Sequence, residues 1–290
     1  QTVLSNGEKS NAVVIASDGE MKVSPDIKPP IVETLEDFLN AVKESGLVGL
    51  GGAGFPTHVK LNIPKDKKVD TLLINGAECE PYITTDHRAA LEDSDDILDG
   101  IFAVKKFLHL DRVIIGIEGN KPDAIQHLKN LLDKDPRNSD HSVGVLTLKA
   151  RYPQGAEKVL AQAATGRVIP TGKLPSDVGC VVMNITSVGF LGNYLKTGMP
   201  LISKRVTVDG SAIAQPKNVI VPIGTSLSEV IAFCGGYKEP VKKLILGGPM
   251  MGFGMVTADG SVTKTSSSIP TFKEDAVAKA RETACINCAR

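Results

Sequence analysis

Short apolar runs alternate with segments of helical periodicity through the first two thirds of the chain. Apolar runs bounded by polar or turn residues predict buried strands at residues 71–74, 112–117, 143–148 and 181–184. Helical spacing of apolar residues predicts a helix that Thr34 caps and that ends before Gly46, and further helices at 93–108, 120–132 and 157–164. Strands that alternate with helices are typical of a mainly parallel sheet, so the sequence predicts an α/β fold.

The pattern changes after residue 198. Strands are predicted at 205–210, 218–221 and 243–246, with one helix at 226–233, and this mixture indicates a small β-grasp-like domain. Residues 257–272 are rich in Ser, Thr and Gly and predict a loop or extended crossing segment, followed by a short helix at 276–283. Near the start, residues 11–16 predict a strand at the end of a β-rich unit, before a linker punctuated by prolines.

Polar side chains follow the predicted strands of the first region directly. Asn75 and Glu78 come after the first strand, Tyr152 after the third and Asn184 after the fourth. Ligands on open α/β sheets bind at the carboxyl ends of the strands. These four residues are therefore candidates for one shared site.

A glycine-rich stretch at residues 49–60, with the sequence GLGGAGFPTHVK, is the strongest local signal. It contains Gly49, Gly51, Gly52 and Gly54, followed by Phe55 and Lys60. Backbone without side chains can approach a flat or phosphorylated ligand closely, and free N–H groups at a helix start favour phosphate. Alone, such a stretch can be a tight connection between a strand and a helix. Combined with the acidic motif at 75–81, it predicts a nucleotide-binding loop.

Composition excludes several classes of function. The 290 residues suggest about two domains, and a hydrophobic fraction of 42% is enough for a sizeable core. The formal net charge is zero and the charges are mixed along the chain, so we expect neither nucleic-acid binding nor a polybasic membrane patch. No apolar run approaches the length of a membrane span. The chain opens without Met and without a signal peptide, and we expect it to be a fragment of a longer protein.

Five cysteines are an odd number for a disulfide framework. Cys79, Cys180 and Cys234 are scattered, and we expect them to be small buried hydrophobic residues. Cys285 and Cys288 form C-x-x-C, which fits a reducing compartment and a metal or cluster site. A bacterial-type iron–sulfur cluster needs a third cysteine three positions later and a remote fourth. Both cysteines are therefore expected to bind iron in the full-length protein only.

Together, these motifs resemble a known family. The glycine loop with its downstream lysine, and the pattern Asn-x-x-Glu-x-Glu-Pro at 75–81, are similar to the flavin site of the FMN-bearing subunit of respiratory complex I. With a cysteine between the two glutamates, a Gly-Gly-Pro-Met-Met-Gly turn at 247–252 and the terminal C-x-x-C, the chain most resembles the C subunit of the Rnf (Rsx) ion-translocating electron-transport complex. The resemblance covers about residues 31–290.

The resemblance implies a domain organisation. A Rossmann-like FMN- and NADH-binding domain would occupy residues 31–198, and a small β-grasp, soluble ligand-binding domain residues 199–256. Residues 257–290 would lead into an iron–sulfur domain. Residues 1–30 would be a linker and the tail of a preceding β-rich, lipoyl-like hybrid domain.

The implied activity is electron transfer between NADH and [4Fe-4S] clusters through noncovalent FMN. The implied partners are NADH, the other subunits of a membrane complex and, indirectly, a ferredoxin-like electron carrier. The implied location is peripheral, on the cytoplasmic face of the bacterial plasma membrane. Hydride transfer needs no obligatory protein acid or base, so the resemblance implies binding residues and no catalytic residue. A cobalamin reductase of the propanediol-utilisation type and a non-catalytic docking module remain alternatives.

The family's site residues map onto this chain one by one. By resemblance, Gly49, Gly51 and Gly52 would lie against the FMN phosphate and ring, with Gly54 in the same loop and Lys60 near the phosphate. The resemblance also puts Asn75 at the isoalloxazine, Glu78 and Glu80 near the ring and the nicotinamide nucleotide, and Phe55 on the NADH base. A Tyr-x-x-Gly-x-Glu motif would contain Tyr152, Gly155 and Glu157, and Asn184 would lie near the phosphate or ribityl chain.

Two positions depart from the complex I pattern. Leu50 replaces an arginine, which removes one expected phosphate contact, and Ala156 replaces one of two neighbouring acids, which removes a carboxylate from the nicotinamide pocket.

Overall fold

The computed structural model of the chain describes residues 2–3, 9–273 and 284. At its start, β1 (Thr2–Val3) and β2 (Lys9–Ser10) form a short antiparallel pair. The helix predicted at 276–283 and the cysteines Cys285 and Cys288 lie outside the described residues.

The first unit is a four-stranded parallel sheet covered by helices. Its elements are α1 (Leu35–Glu44), α2 (Thr57–Leu61), β3 (Thr71–Gly76), α3 (Thr85–Glu92), α4 (Ser94–Phe107), β4 (Arg112–Glu118), α5 (Pro122–Lys134), β5 (Val143–Leu148), α6 (Glu157–Thr165), β6 (Cys180–Asn184) and α7 (Ile185–Thr197). The strand order is β5-β4-β3-β6, and all neighbours are parallel. The predicted α/β class and all four predicted strands are confirmed.

The loops of interest leave the sheet at one edge. Asn75 of β3 is in register with Asn184 of β6, and Glu118 of β4 with Leu148 of β5. The chain after each of these strands therefore emerges at the carboxyl edge, where open α/β sheets bind ligands.

α3 and α7 of this unit were not predicted, and for the short α2 only a helix start after the glycine loop was expected. α3 follows directly after the acidic motif, and α7 contains Gly189 and Gly192, which lower helix propensity. Packing overrides that propensity, because Gly192 of α7 lies against the main chain of Asp96, and Gly100 of α4 against the main chain of Val188. The two helices come this close only because neither glycine has a side chain.

The second unit is a five-stranded mixed sheet with one helix. It consists of β7 (Ser203–Asp209), β8 (Lys217–Pro222), α8 (Leu227–Phe233), β9 (Lys243–Leu246), β10 (Phe253–Met255) and β11 (Ser268–Phe272). The strand order is β10-β9-β11-β7-β8. Ser226 caps α8 and accepts a hydrogen bond from the N–H of Glu229. A mixed sheet with one helix agrees with the predicted β-grasp-like unit.

The end of the segment predicted at 257–272 as a loop or extended crossing segment is a strand, β11. β11 pairs in parallel with β7 and antiparallel with β9, so it lies in the middle of the second sheet. All five of its residues are buried. A central strand buried on both faces has no polar–apolar alternation, and its Ser, Pro and Thr residues resemble loop composition. The second sheet thus continues beyond residue 256.

The strand predicted at residues 11–16 is wrong. The segment has no regular structure, and Val13, Val14 and Ile15 are 85–93% exposed. A strand needs a neighbour that satisfies its main-chain groups, and the described residues offer none to this segment.

No helix in the described ranges combines the length and the apolar character required to cross a bilayer.

Candidate functional site

The glycine-rich stretch forms a tight loop ahead of α2. The N–H of Gly49 donates to the carbonyl of Phe55 at 2.9 Å, and the N–H of Gly54 donates back to Gly49 at 3.2 Å. The N–H of Leu50 donates to the Ser187 hydroxyl at 2.9 Å, which attaches the loop to the first turn of α7. The Leu50 side chain is buried, so this position offers a ligand only its main chain.

Three glycines are required by the shape of this loop. A Cβ at Gly51 would stand 3.0 Å from the amide nitrogen of Asn184. Gly54 has a φ of +66° and lies against Thr265, whereas Gly52 has a φ of +138° and open space around it. Within the described residues, the main-chain N–H groups of positions 51–53 donate to no protein acceptor. They form an exposed set of donors beside the amino terminus of α7, where an anion is favoured.

Lys60 joins α2 to α6 and to β6. Its Nζ donates to Glu157 Oε1 at 2.8 Å and to the carbonyl of Val182 at 3.1 Å. Glu157 is the first residue of α6, where its charge is favoured by the helix dipole. The site therefore carries its own ion pair, and both side chains remain partly exposed to a ligand.

Asn75 connects the loops that follow β3 and β5. Its amide nitrogen donates to the carbonyl of Gly155 at 2.8 Å, and its amide oxygen accepts from the N–H of Ala77 at 3.2 Å. The N–H of Gly155 donates to Cys79 Sγ at 3.5 Å. A Cβ at Gly155 would overlap the carbonyl of Ala77, so this contact between the two loops requires glycine.

Glu78 turns its carboxylate towards the start of α3. Its Oε1 accepts from the N–H of Asp86 at 2.8 Å and from the Thr85 hydroxyl at 3.1 Å, and its Oε2 accepts from the N–H of His87 at 3.3 Å. Thr84, the N-cap residue, makes no side-chain cap bond. Glu78 therefore satisfies the free N–H groups of α3 in its place.

Asp86 holds the first turn of α7 from the neighbouring helix. Its carboxylate accepts from the Asn184 amide at 2.7 Å and from the Thr186 hydroxyl at 2.6 Å. The Asn184 oxygen in turn accepts from the N–H of Ser187 at 3.1 Å, which makes Asn184 the cap of α7. These bonds fix the orientation of the Asn184 amide beside Gly51.

Buried charges perturb one another beneath the loops. Burial raises the pKa of Glu78 to about 7, and the Asp86 carboxylate adds to the increase. Burial also raises the pKa of Asp86, against the hydrogen bonds from Thr186 and Asn184. On β7, burial lowers the pKa of Lys204 to about 8. Such shifts follow when charged groups lose water without full compensation.

A buried ion pair ties three of the loops together. Lys121 Nζ donates to Glu118 Oε2 at 3.1 Å and to the main-chain carbonyl of Glu78 at 3.4 Å. Glu118 Oε1 accepts from the N–H of Arg151 at 3.3 Å. The side chains of Glu118 and Lys121 are only 3% and 8% exposed. The pair thus links the ends of β3, β4 and β5.

Glu80 reaches the second unit. Its Oε2 accepts from the main-chain N–H of Met250 at 2.8 Å. Phe55 and Tyr152 contribute half-exposed rings, at 49% and 42% exposure, with no ring partner among the described residues. The scattered cysteines follow the prediction in part, since Cys180 and Cys234 are buried, while Cys79 is partly exposed.

Most of the predicted residues are therefore connected through direct contacts, but several important ones were missed. The missed residues are Asp86, Glu118, Lys121, Thr186, Ser187 and Lys204. Glu118 ends an apolar strand and Lys121 comes three residues later, and Asn184 with Ser187 follows the capping pattern. These signals were available in the sequence. Lys204 lies inside a strand, and no local pattern marks it.

Residues 42–191 match the family described as the Nuo51 FMN-binding domain, and residues 205–254 match the SLBB domain. The first match covers more than half of the chain. The chain belongs to the Nuo51 FMN-binding domain family. The SLBB match agrees with the predicted soluble ligand-binding β-grasp domain, and the glycine loop, Asn75 and Asn184 all lie inside the FMN-binding domain of the family.

Similarity to curated relatives extends over nearly the whole chain. The chain is 42% identical over 285 residues to the C subunit of the proton-translocating ferredoxin:NAD(+) oxidoreductase complex of Clostridium ljungdahlii, and 41% identical over 290 residues to its Na(+)-translocating counterpart in Acetobacterium woodii. The alignments cover 97% and 98% of this chain, but 61% and 64% of the relatives. The chain thus spans about three fifths of their length, and the predicted resemblance to the C subunit of the Rnf complex is confirmed.

A solved structure shares the fold. The NAD+-reducing [NiFe]-hydrogenase in its air-oxidized state superposes with a TM-score of 0.70 at 19% identity, over 85% of this chain and 48% of that chain.

The residues at the sheet edge fit a bound FMN. The exposed N–H groups of positions 51–53, the amino terminus of α7 and the Lys60 ammonium offer donors to a phosphate. Gly51 leaves room beside Asn184 that a side chain would fill. The Asn75 amide has donor and acceptor groups suited to a flavin ring edge.

Proposed function

We propose that this chain is the FMN-binding electron-transfer module of an Rnf-type complex and passes electrons between NADH and iron–sulfur clusters. The observation that carries the proposal is the convergence of the glycine loop, Asn75 and Asn184 at the carboxyl edge of a parallel sheet. The names of the relatives support the oxidoreductase class, because both belong to ferredoxin:NAD(+) oxidoreductase complexes.

In this proposal the residues bind and orient, and FMN supplies the hydride and electron chemistry when it is bound. The donors of positions 51–53 and Lys60 hold the phosphate, and Asn184, fixed by Asp86, lines the path from the phosphate to the ring. Asn75, Gly155 and the backbone of Glu78 form the wall beneath the ring.

Glu80, Phe55 and Glu157 are proposed to meet the nicotinamide nucleotide. Phe55 is exposed enough to stack on a base, and the second carboxylate oxygen of Glu80 has no partner among the described residues. Cys285 and Cys288 are proposed as cluster ligands in the longer protein.

The proposed location is the cytoplasmic face of the bacterial plasma membrane. Association there would be peripheral and would depend on other subunits of the complex, with a ferredoxin-like carrier as an indirect partner. The motive for this proposal is that the relatives are subunits of ion-translocating complexes.

An anaerobic titration tests the proposed function. The purified chain is titrated with FMN while flavin fluorescence is followed, and NADH is then added while the flavin absorption band is monitored. The proposal predicts saturable FMN binding and bleaching by NADH. Absence of binding at high micromolar FMN, in a folded sample, would contradict it and favour a docking module.

A lysine substitution sharpens the titration. Lys60→Met removes one cation from the expected phosphate site, and we expect FMN affinity to fall about tenfold or more, the usual effect of losing a charged hydrogen bond. Lys65→Met is the matched control, because Lys65 is exposed and lies beyond the end of α2. Equal FMN affinities in the two variants would mean that Lys60 does not bind the phosphate.

A further inference from the structure

The turn at residues 247–252 holds the carboxylate of Glu80 from the second unit. The N–H of Met250 donates to Glu80 Oε2 at 2.8 Å, across 170 residues of sequence. A Cβ at Gly248 would overlap the Glu80 carboxyl group. The Glu80 carboxylate therefore packs against the turn at Gly248, which has no side chain.

The turn itself is fixed by its own sheet. The N–H of Gly247 donates to the carbonyl of Ser268 at 2.8 Å, and the Ser268 hydroxyl donates back to the carbonyl of Gly247 at 2.8 Å. Gly247 has a φ of +96°, and the N–H of Gly252 closes the turn onto Gly248 at 2.6 Å. Met250 thus donates from a backbone that is anchored to the central strand β11.

The loop that carries Glu80 is held against the second unit at further points. The N–H of Thr84 donates to the Thr207 hydroxyl at 3.0 Å, and the Thr84 hydroxyl accepts from the Asn218 amide at 2.8 Å. The ring of Tyr82 meets Phe272 edge to face, with centroids 5.0 Å apart. The position of Glu80 is therefore set by both units.

One oxygen of Glu80 is bound and the other is available. No cation among the described residues pairs with this carboxylate, and no described donor reaches Oε1. A partly exposed carboxylate with one fixed oxygen is suited to accept a hydrogen bond from a ligand hydroxyl or amide group.

We infer that the 247–252 turn is a positioning element of the nicotinamide nucleotide site, and that it aligns Glu80 to accept a hydrogen bond from that nucleotide. The inference rests on the proposed function. It gives the second unit a part in substrate binding that is exerted through Glu80.

A glycine substitution with a matched control tests this. Gly248→Ala displaces Glu80, whereas Gly254→Ala adds a methyl group to the same unit in open space. With FMN bound, the rate of flavin bleaching is measured against NADH concentration. We expect Gly248→Ala to raise the half-saturating NADH concentration about tenfold, the effect of one misplaced charged hydrogen bond, with the limiting rate and FMN affinity unchanged. Gly254→Ala should match the parent chain.

A second readout needs no cofactor. Urea midpoints are compared for Gly248→Ala alone and in a Glu80→Ala background. In the Glu80→Ala background the added methyl group meets no carboxyl group. We therefore expect Gly248→Ala to lower the urea midpoint of the parent chain but not that of the Glu80→Ala variant.

The outcomes separate the two proposals. Failure of the parent chain to bind FMN contradicts the proposed function. FMN binding with the same NADH dependence in Gly248→Ala and the parent overturns the inference alone. An equal loss of the urea midpoint in both backgrounds also overturns it, because the turn would then not act through Glu80.

Discussion

Side chains that we propose to lie at the FMN site also hold the protein together. Glu78 caps α3 with both oxygens, and Asn184 caps α7 while Asp86 fixes its amide. Buried polar groups of this kind are costly unless every partner is in place. Substitutions at Glu78 and Asn184 will therefore affect stability as well as ligand affinity, and unfolding must be measured alongside binding.

Glu78 gives the chain a specific pH dependence of stability. Burial raises its pKa from 4.5 to about 7, so the folded chain binds this proton more tightly than the unfolded chain does. The free energy of unfolding should therefore fall as pH rises from 4.5 to about 7, by up to about 3 kcal/mol, and then level off. Urea unfolding across this range should show the fall in the parent and a much weaker one in Glu78→Gln.

Asp37→Asn is the control for that experiment. Hydrogen bonds from Thr34 and Glu33 lower the pKa of Asp37, so its contribution to stability is lost only below the window in which Glu78 titrates. A parent curve that is flat between pH 4.5 and 7, or a Glu78→Gln curve as steep as the parent, would contradict the assignment.

At the scale of elements, long apolar patterns were predicted well and context-dependent elements were not. α4 and the strands of the parallel sheet follow clear periodicity. α7 was missed because two glycines break its propensity, and β11 was missed because a central strand of Ser, Pro and Thr residues looks like a loop. In both cases tertiary packing decides the conformation.

The close approach of α4 and α7 makes a prediction about Gly192. Gly192→Ala would place a methyl group on the carbonyl of Asp96, and overpacking of this kind costs about 1–3 kcal/mol or more. Gly144→Ala, on the edge strand β5, meets open space and should change the free energy of unfolding by less than about 0.5 kcal/mol. Similar urea curves for the two variants would mean that the helices have room to separate.

At the scale of the whole molecule, Arg205 joins the two units. From β7 its guanidinium reaches Glu92 at 2.5 Å and Asp93 at 3.0 Å, and the side chain is only 11% exposed. Removing Arg205 takes away a largely buried side chain together with its charged hydrogen bonds to the partly exposed Glu92 and Asp93. We expect Arg205→Met to lower the free energy of unfolding by about 2 kcal/mol, with part of the loss recovered when Glu92 is also neutralised.

Arg88→Met is the matched control for Arg205. Arg88 also pairs with Glu92, but it does so within α3 and on the surface. Exposed pairs contribute about 0–1 kcal/mol, so this variant should unfold nearly like the parent. If the two variants lost the same free energy, the contact between the units would not be a source of stability.

The sequence predicted where the candidate residues lie in the fold better than it predicted their contacts. Asn75, Glu78 and Asn184 were placed correctly at the sheet edge because each closely follows or ends an apolar strand. The sequence could not predict that the Glu78 carboxylate caps α3 or that Glu80 contacts Met250. Each contact depends on how separate segments pack. Local patterns fix where a residue leaves the sheet, and tertiary structure fixes what it then touches.

The most direct test of the central claim is a crystal structure of the chain with FMN. We predict flavin density at the carboxyl edge of the parallel sheet, with the phosphate on the N–H groups of positions 51–53 near Lys60 and the ring beside Asn75. Flavin bound away from this edge, or an empty edge in crystals grown with saturating FMN, would contradict the proposed site.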